Sequence, residues 1–227
     1  LVGGLGAVPI AAVGLGQLLA FIATTLVSGL SVGSNVIMAQ LWGARRYDDA
    51  GEAARHFLGL SILIALGLLT FGLLMNRLAM ELLGAQADVI RLALSYSNLI
   101  FLLIPFTILL QVLSSILQGT GDTKTPMHAM IVVNLLHIAI ALPLIYGHWG
   151  LPAMGINGAA IAVGIAEATG CLYLLARCRP MLRRSQRFRL DLIRTIWHVG
   201  APVSGERVVQ QAGILLYTKI VLMYGTV

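Results

Sequence analysis

Five ionisable side chains fall inside long apolar runs: His137, Glu167, Glu206, Arg207 and Lys219. A charge held at the centre of a bilayer costs roughly 2.5–3.5 kcal/mol or more, so each asks for a reason. Glu206 is the leading candidate. It lies four residues past Pro202, and Gln210, Gly213 and Tyr217 follow it at helical spacing. One helix face would then carry a carboxylate, an amide, a gap and a phenol. A carboxylate in apolar surroundings can exchange a proton or hold Na⁺, and can bind a cationic compound. The competing reading pairs Glu206 with a basic neighbour at the mouth of its span. Arg207 is not that neighbour, because adjacent helix residues point apart.

Weaker candidates stand behind this set. Glu167 sits among Ala and Gly in the middle of its run, as a transport carboxylate or as a hydrogen-bonding group between helices. His137 follows Asn134 by three residues on one face, a spacing that fits a satisfied structural histidine as well as a ligand. Gln17, Thr24, Ser28, Ser31 and Asn35 recur at steps of 7, 4, 3 and 4, one helical stripe. That stripe reads equally as interhelical hydrogen bonding or as the wall of a water-filled cavity. Lys219, near the end of its run, reads as a snorkelling lysine. The cation- and substrate-binding candidates are Glu206, Gln210 and Tyr217, then Glu167, Asn134, His137, Gln17 and Asn35.

The polar stretch Gln118–Pro126 holds a second pattern. Gly119-Thr120-Gly121-Asp122 matches the GxGD pattern of intramembrane aspartyl proteases. Those enzymes need a second Asp, so that two carboxylates share a proton. Tyr47-Asp48 is present, but in a charged segment beside Arg45 and Arg46. A turn accounts for the stretch better: Gly119 or Gly121 ends one helix, Asp122 or Thr123 caps the next, and Pro126 lies in its first turn. HExxH, CxxC and Walker patterns do not occur in the 227 residues. The expectation is therefore no enzyme, no cofactor and no metal beyond Na⁺ at Glu206. Transport would be driven by an ion gradient or by the substrate's own gradient.

The elements that must position these residues are apolar throughout. Hydrophobic residues make up 58% of the chain and charged residues 11%, with mean hydropathy +0.90. Soluble domains carry about 25% charged residues, so the fold class is all-α, a polytopic transmembrane bundle. Spans are expected at Ile10–Ala39, Phe57–Met75, Leu92–Leu117 with Pro105 inside, Met127–Tyr146, Ile156–Ala176 and Val199–Tyr224. Polar connections are expected at Gly43–His56, Asn76–Arg91, Gln118–Pro126, Gly147–Asn157 and Arg177–His198. Segments 40–56, 118–126 and 177–198 hold 3, 1 and 7 Lys and Arg, against 2 and 0 in the alternate segments 76–91 and 148–155. That asymmetry places the first set in the cytoplasm, and makes the seven arginines from Arg177 to Arg194 a topology signal rather than a nucleic-acid site. Cys171 and Cys178 lie about 10.5 Å apart along one helix. That is too far for a disulfide, so they read as small apolar residues.

Four stretches together resemble the multidrug and toxic compound extrusion (MATE) transporters. Val2-Gly3-Gly4-Leu5-Gly6 with Ile10–Gly16 resembles the passage from that family's first helix into its second. Ala39-Gln40-Leu41-Trp42-Gly43-Ala44 is similar to the end of the second helix. Gln118–Pro126 is similar to the loop between helices four and five, and Gly200-Ala201-Pro202 with Glu206 to the start of helix seven. The resemblance implies twelve helices in two six-helix lobes, of which this chain holds about helices two to seven. Residues 1–176 would be the N-terminal lobe without most of its first helix, 177–198 a basic cytoplasmic linker, and 199–227 the first helix of the second lobe. A faint repeat, Leu5-Gly6-Ala7-Val8 against Tyr224-Gly225-Thr226-Val227, agrees with a fragment. The family often carries a carboxylate in helix one, which would lie upstream of Leu1, and some members a second late in helix five, near Ala141. The resemblance implies export of cationic amphipathic compounds in exchange for Na⁺ or H⁺ by alternating access. The setting implied is a bacterial inner membrane, with the complete protein a monomer that has lipid and small cationic substrates as partners and no nucleic acid. A flippase for lipid-linked precursors, from the same superfamily, is the alternative; it would call for Arg at membrane depth, where only Arg207 is available.

Overall fold

A computed structural model describes residues 7–82, 87–147 and 152–183, with six further positions between 202 and 213. Five helices follow in order: α1 (Ala7–Gly43), α2 (Tyr47–Leu82), α3 (Ala87–Gly119), α4 (Lys124–Tyr146) and α5 (Ile156–Leu182). The described residues contain no strand. Four helices are long and apolar enough to cross a membrane, and α1 makes a fifth when its two arms count as one span. Residues left exposed on the bundle are themselves apolar, among them Leu63, Leu66, Phe71 and Leu74 on α2 and Ile131, Leu135 and Ile138 on α4. Such a surface suits lipid and not water. The expected sixth span falls largely outside the described residues; Pro202, Gly205, Glu206, Val209, Gln210 and Gly213 are helical and exposed.

The helices outrun the expected spans. Gly43–His56 is not a loop: α1 ends at Gly43 and α2 begins at Tyr47. Asp48 and Asp49 occupy the first turn of α2, where carboxylates meet the positive end of the helix dipole. Arg46 Nε pairs with Asp49 Oδ2 at 2.7 Å across the turn. At its other end α2 runs through Asn76 to Leu82 and α3 begins at Ala87, so most of the expected 76–91 connection is helical. Asn76 stays helical inside the bundle because Ser97 and Asn98 of α3 meet its amide at 2.7 and 2.8 Å. α5 likewise continues through Arg177 and Arg179 to Leu182, taking in the first turns of the expected linker. Polar character misled here because a span of about 20 residues crosses the hydrocarbon, and a 36-residue helix of about 54 Å projects well beyond it.

α3 is the hub. It packs against α1, α2 and α5, whereas α4 leans almost entirely on α5. Ile104, Ile108, Val112, Leu113 and Ile116 of α3 are buried in the main core with Val27, Ile37 and Met38 of α1 and Phe57 of α2. α1 and α3 approach closely at Gly119. A methyl group there would lie 2.5 Å from the Asn35 carbonyl oxygen and 2.7 Å from Met38 Cβ, so only glycine fits. α1 itself bends by 40° between Ala12–Thr25 and Val27–Gly43. The hydroxyls of Thr24, Thr25 and Ser28 all bond back to carbonyls three or four residues earlier around that point. Such bonds loosen the helical ladder and bend it.

Candidate functional site

The polar residues of α3 form a face that sequence reading overlooked. Thr107, Gln111, Ser114, Ser115 and Gln118 recur at helical spacing beside the apolar core face. A cavity of about 490 Å³ lies along that face, between α3, α4 and α5. Its walls carry Thr107, Gln111, Ser114, Ser115 and Gln118 from α3, Pro126, Met127 and Met130 from α4, Glu167 from α5, and Thr123 from the turn. The volume falls within the roughly 300–1,000 Å³ of small-molecule sites.

A second cavity, of about 170 Å³, lies on the far side of Glu167. Gln17, Phe21 and Thr24 of α1, Ile100, Leu103 and Ile104 of α3, and Val163 of α5 line it, again with Thr107 and Glu167. Thr107 Oγ1 donates to Glu167 Oε2 at 2.6 Å, a short hydrogen bond. Glu167 is only partly exposed and forms no ion pair among the described residues. The groups facing it are hydroxyls, amides and apolar side chains.

The other candidates separate into three groups. Gln17 Nε2 donates to Tyr96 Oη at 3.0 Å and Asn35 Nδ2 to the Ser115 carbonyl at 3.3 Å, both bridging α1 to α3. Gln17 and Thr24 of the α1 stripe also line the smaller cavity. Asn134 is exposed and returns its amide to the Met130 carbonyl of its own helix at 2.7 Å. His137 is half-buried one turn on, and neither residue lines a cavity with Glu167. Glu206 and Gln210 are exposed on their helix, and Tyr217 lies outside the described residues, as do Arg207 and Lys219. No group of three or more His, Cys, Asp or Glu with metal-binding geometry occurs among the described residues.

Within the stretch Gln118–Pro126, residues 120–123 form the turn between α3 and α4. Gly121 adopts φ 89°, a left-handed conformation suited to glycine. Asp122 Oδ1 accepts the Thr125 backbone N–H at 3.0 Å and so caps α4, with Pro126 in the first turn. Hydrogen bonds from Thr125 hold the Asp122 carboxyl below its ordinary range. Cys171 and Cys178 are free and buried, Cys171 Sγ donating to the Phe106 carbonyl.

The three segments assigned to one side do meet at one end. Trp42 of α1, Leu117 of α3, Thr120 of the following turn, and Arg177, Cys178 and Met181 of α5 enclose a single small pocket there. Arg55 of α2 also donates to the Leu182 carbonyl at the end of α5, at 3.1 Å.

Comparison with known proteins agrees. The family model MatE matches residues 1–142. The chain belongs to the MATE family. Among MATE relatives, the probable multidrug resistance protein YoeA of Bacillus subtilis (strain 168) is 27% identical over 98% of this chain and 50% of its own length. The probable multidrug resistance protein NorM of Agrobacterium fabrum is 30% identical over 90% of this chain and 45% of its own. A solved inward-facing multidrug resistance MATE transporter of the MOP superfamily superposes with TM-score 0.80 at 27% identity, covering 91% of this chain and 48% of that one. This MATE chain thus spans about half the length of the relatives it matches, in line with the fragment implied by the four motifs.

Proposed function

We propose that this chain forms one half of a secondary multidrug transporter, which exports cationic amphipathic compounds in exchange for Na⁺ or H⁺. The observation that carries the reading is the 490 Å³ cavity. It is lined by hydroxyls, amides, methionines and one carboxylate inside a lipid-exposed bundle. A carboxylate supplies the charge that attracts a cation, and methionines supply a deformable apolar wall. The MATE relatives named as multidrug resistance proteins support the same class.

Transport would proceed by alternating access, one lobe rocking against the other around a site at mid-membrane. Glu206, with Gln210 and Tyr217, would face the partner lobe as a second cation- or substrate-binding set. The membrane would be a bacterial inner membrane, with 40–56, 118–126 and 177–198 in the cytoplasm. The clustering of Trp42, Thr120 and Arg177 at one end supports that sidedness. The test is ethidium efflux from proteoliposomes holding the complete protein, under imposed Na⁺ and H⁺ gradients. Efflux that follows either gradient is the expected result; efflux indifferent to both overturns the proposal.

A further inference from the structure

We propose that the outer face of α5 holds an anionic phospholipid, its headgroup on Arg179 and Arg183 and an acyl chain along Leu175, Leu172 and Ile165. The proposal stands on the membrane fold and does not depend on the transport reading.

Three observations carry it. First, α5 has an apolar face that its own bundle leaves uncovered. Ile165, Leu172 and Leu175 are exposed, Leu172 at 68%. They follow one another at steps of 7 and 3, on one side of a helix. Thr169, exposed between them, returns its hydroxyl to the Ile165 carbonyl at 2.9 Å, so it offers a lipid chain no unmet donor. Ala166, Leu174 and Cys178, on the other side, are buried in the core.

Second, that face leads into two arginines. Arg179 follows Leu175 by four residues and Arg183 follows Arg179 by four, a spacing that keeps side chains on one face. Both are exposed, and neither forms an ion pair among the described residues. Glu167 is the one acidic residue between Ile165 and Arg183, and it lies on the cavity side.

Third, the lengths match one leaflet. Ile165 to Leu175 covers about 15 Å along the axis, half of the roughly 30 Å hydrocarbon thickness. Arg179 lies about 6 Å further, at headgroup depth, and the long side chain of Arg183 can reach back from one turn beyond. The base is firm. Cys178 and Met181 are buried, and Arg55 of α2 donates to the Leu182 carbonyl at 3.1 Å, so the last turn of α5 is held to the bundle.

The chemistry selects the occupant. Guanidinium groups present paired N–H donors to the two free oxygens of a phosphodiester. Two positive charges without a carboxylate on their face favour a headgroup of net negative charge, such as phosphatidylglycerol, over phosphatidylcholine, which carries its own cation. A free phosphate ion makes no use of Ile165, Leu172 and Leu175. Arg177 gives an internal contrast. Two residues from Arg179, it points to another side of the helix. It stands 5.4 Å from the Tyr173 ring centroid and lines the small pocket with Trp42.

Two measurements on the complete protein test this. In native mass spectra from mild detergent, wild type should bind added phosphatidylglycerol and prefer it to phosphatidylcholine. Arg179→Gln and Arg183→Gln should each weaken that binding about fivefold, and the double substitution roughly twentyfold. Arg177→Gln, which removes the same charge, should stay within about twofold. Inorganic phosphate should leave the bound lipid in place. In vesicles, Leu172→Trp should add fluorescence that phosphatidylglycerol brominated on its acyl chains quenches. The exchanged side chains are exposed, so folding should be preserved; melting curves check this. A loss in Arg177→Gln equal to that in Arg179→Gln reduces the effect to overall charge and overturns the inference. Binding unchanged in the double substitution, or lipid displaced by inorganic phosphate, overturns it as well. So does unquenched fluorescence in Leu172→Trp, which would show that another part of the complete protein covers this face.

Discussion

Glu52 and Glu167 are both glutamates held within the bundle, and their surroundings differ in kind. Glu52, in the second turn of α2, is 2% exposed. Ala50, Ala53, Ala54 and Phe57 of the same helix end are all at 0%. Its Oε1 lacks a hydrogen bond, and His56 Nε2 stands 3.9 Å away, an ion-pair separation but too long for a hydrogen bond. Glu167 has a partner at 2.6 Å and open space on both sides. Burial alone therefore does not mark a working carboxylate. Glu52 is enclosed at one helix end, while Glu167 stands in the wall of two cavities.

The largest expected effect breaks the comparison outright. Glu167→Gln should abolish most gradient-driven efflux while moving the unfolding midpoint little, and Glu52→Gln should leave efflux per folded molecule near wild type. Efflux assays with fluorescence-monitored melting of each variant read both quantities, and a swap of the two outcomes would invert the assignment. Next comes stability at the helix end. Glu52→Ala removes a buried polar group from a packed site and leaves its neighbours unmatched, about 1–3 kcal/mol by thermal or denaturant unfolding. Gly119→Ala should fall in a similar range, about 1–3 kcal/mol, because its methyl meets the Asn35 backbone rather than a movable side chain. Nearer the cavities, Tyr96→Phe deletes the acceptor of the Gln17 bond and should lower stability by about 0.5–1.5 kcal/mol.

The smallest effect concerns the turn. Asp122→Ala removes the cap on α4, about 0.5 kcal/mol at a partly exposed position. The Thr125 hydrogen bonds depress the Asp122 carboxyl in the folded state. Its contribution is therefore complete above the ordinary carboxylate range near pH 4. It fades as pH falls through the lower, folded-state value. Melting curves of wild type and Asp122→Ala should converge on acidification.

The bundle was legible because its hydrophobic runs are long and its turns carry Gly, Pro and charge: α3, α4 and α5 begin or end within a few residues of the expected spans. Helix ends were less legible. Asp48, Asp49 and Asn76 look like loop residues by type, but a carboxylate in a first turn and an amide bonded across to Ser97 are both at home in a helix. At the site, Glu167 stood out as a carboxylate among small residues. Its partner did not, since Thr107 follows Pro105 in an apolar run and a lone threonine there carries no signal. The polar periodicity from Thr107 through Gln111 and Ser114 to Gln118 was available, and resembles the stripe on α1.

The uneven packing of the helices has a mechanical consequence. α1 and α3 are locked by the Gly119 contact and by the bonds of Gln17 and Asn35. α4 and α5 form a second tight pair, and α3 and α4 scarcely touch. The bundle is thus two stiff levers joined where α3 meets α5, with the larger cavity in the gap between them. A change in the width of that gap would load the α3–α5 seam and leave the α1–α3 and α4–α5 packing intact.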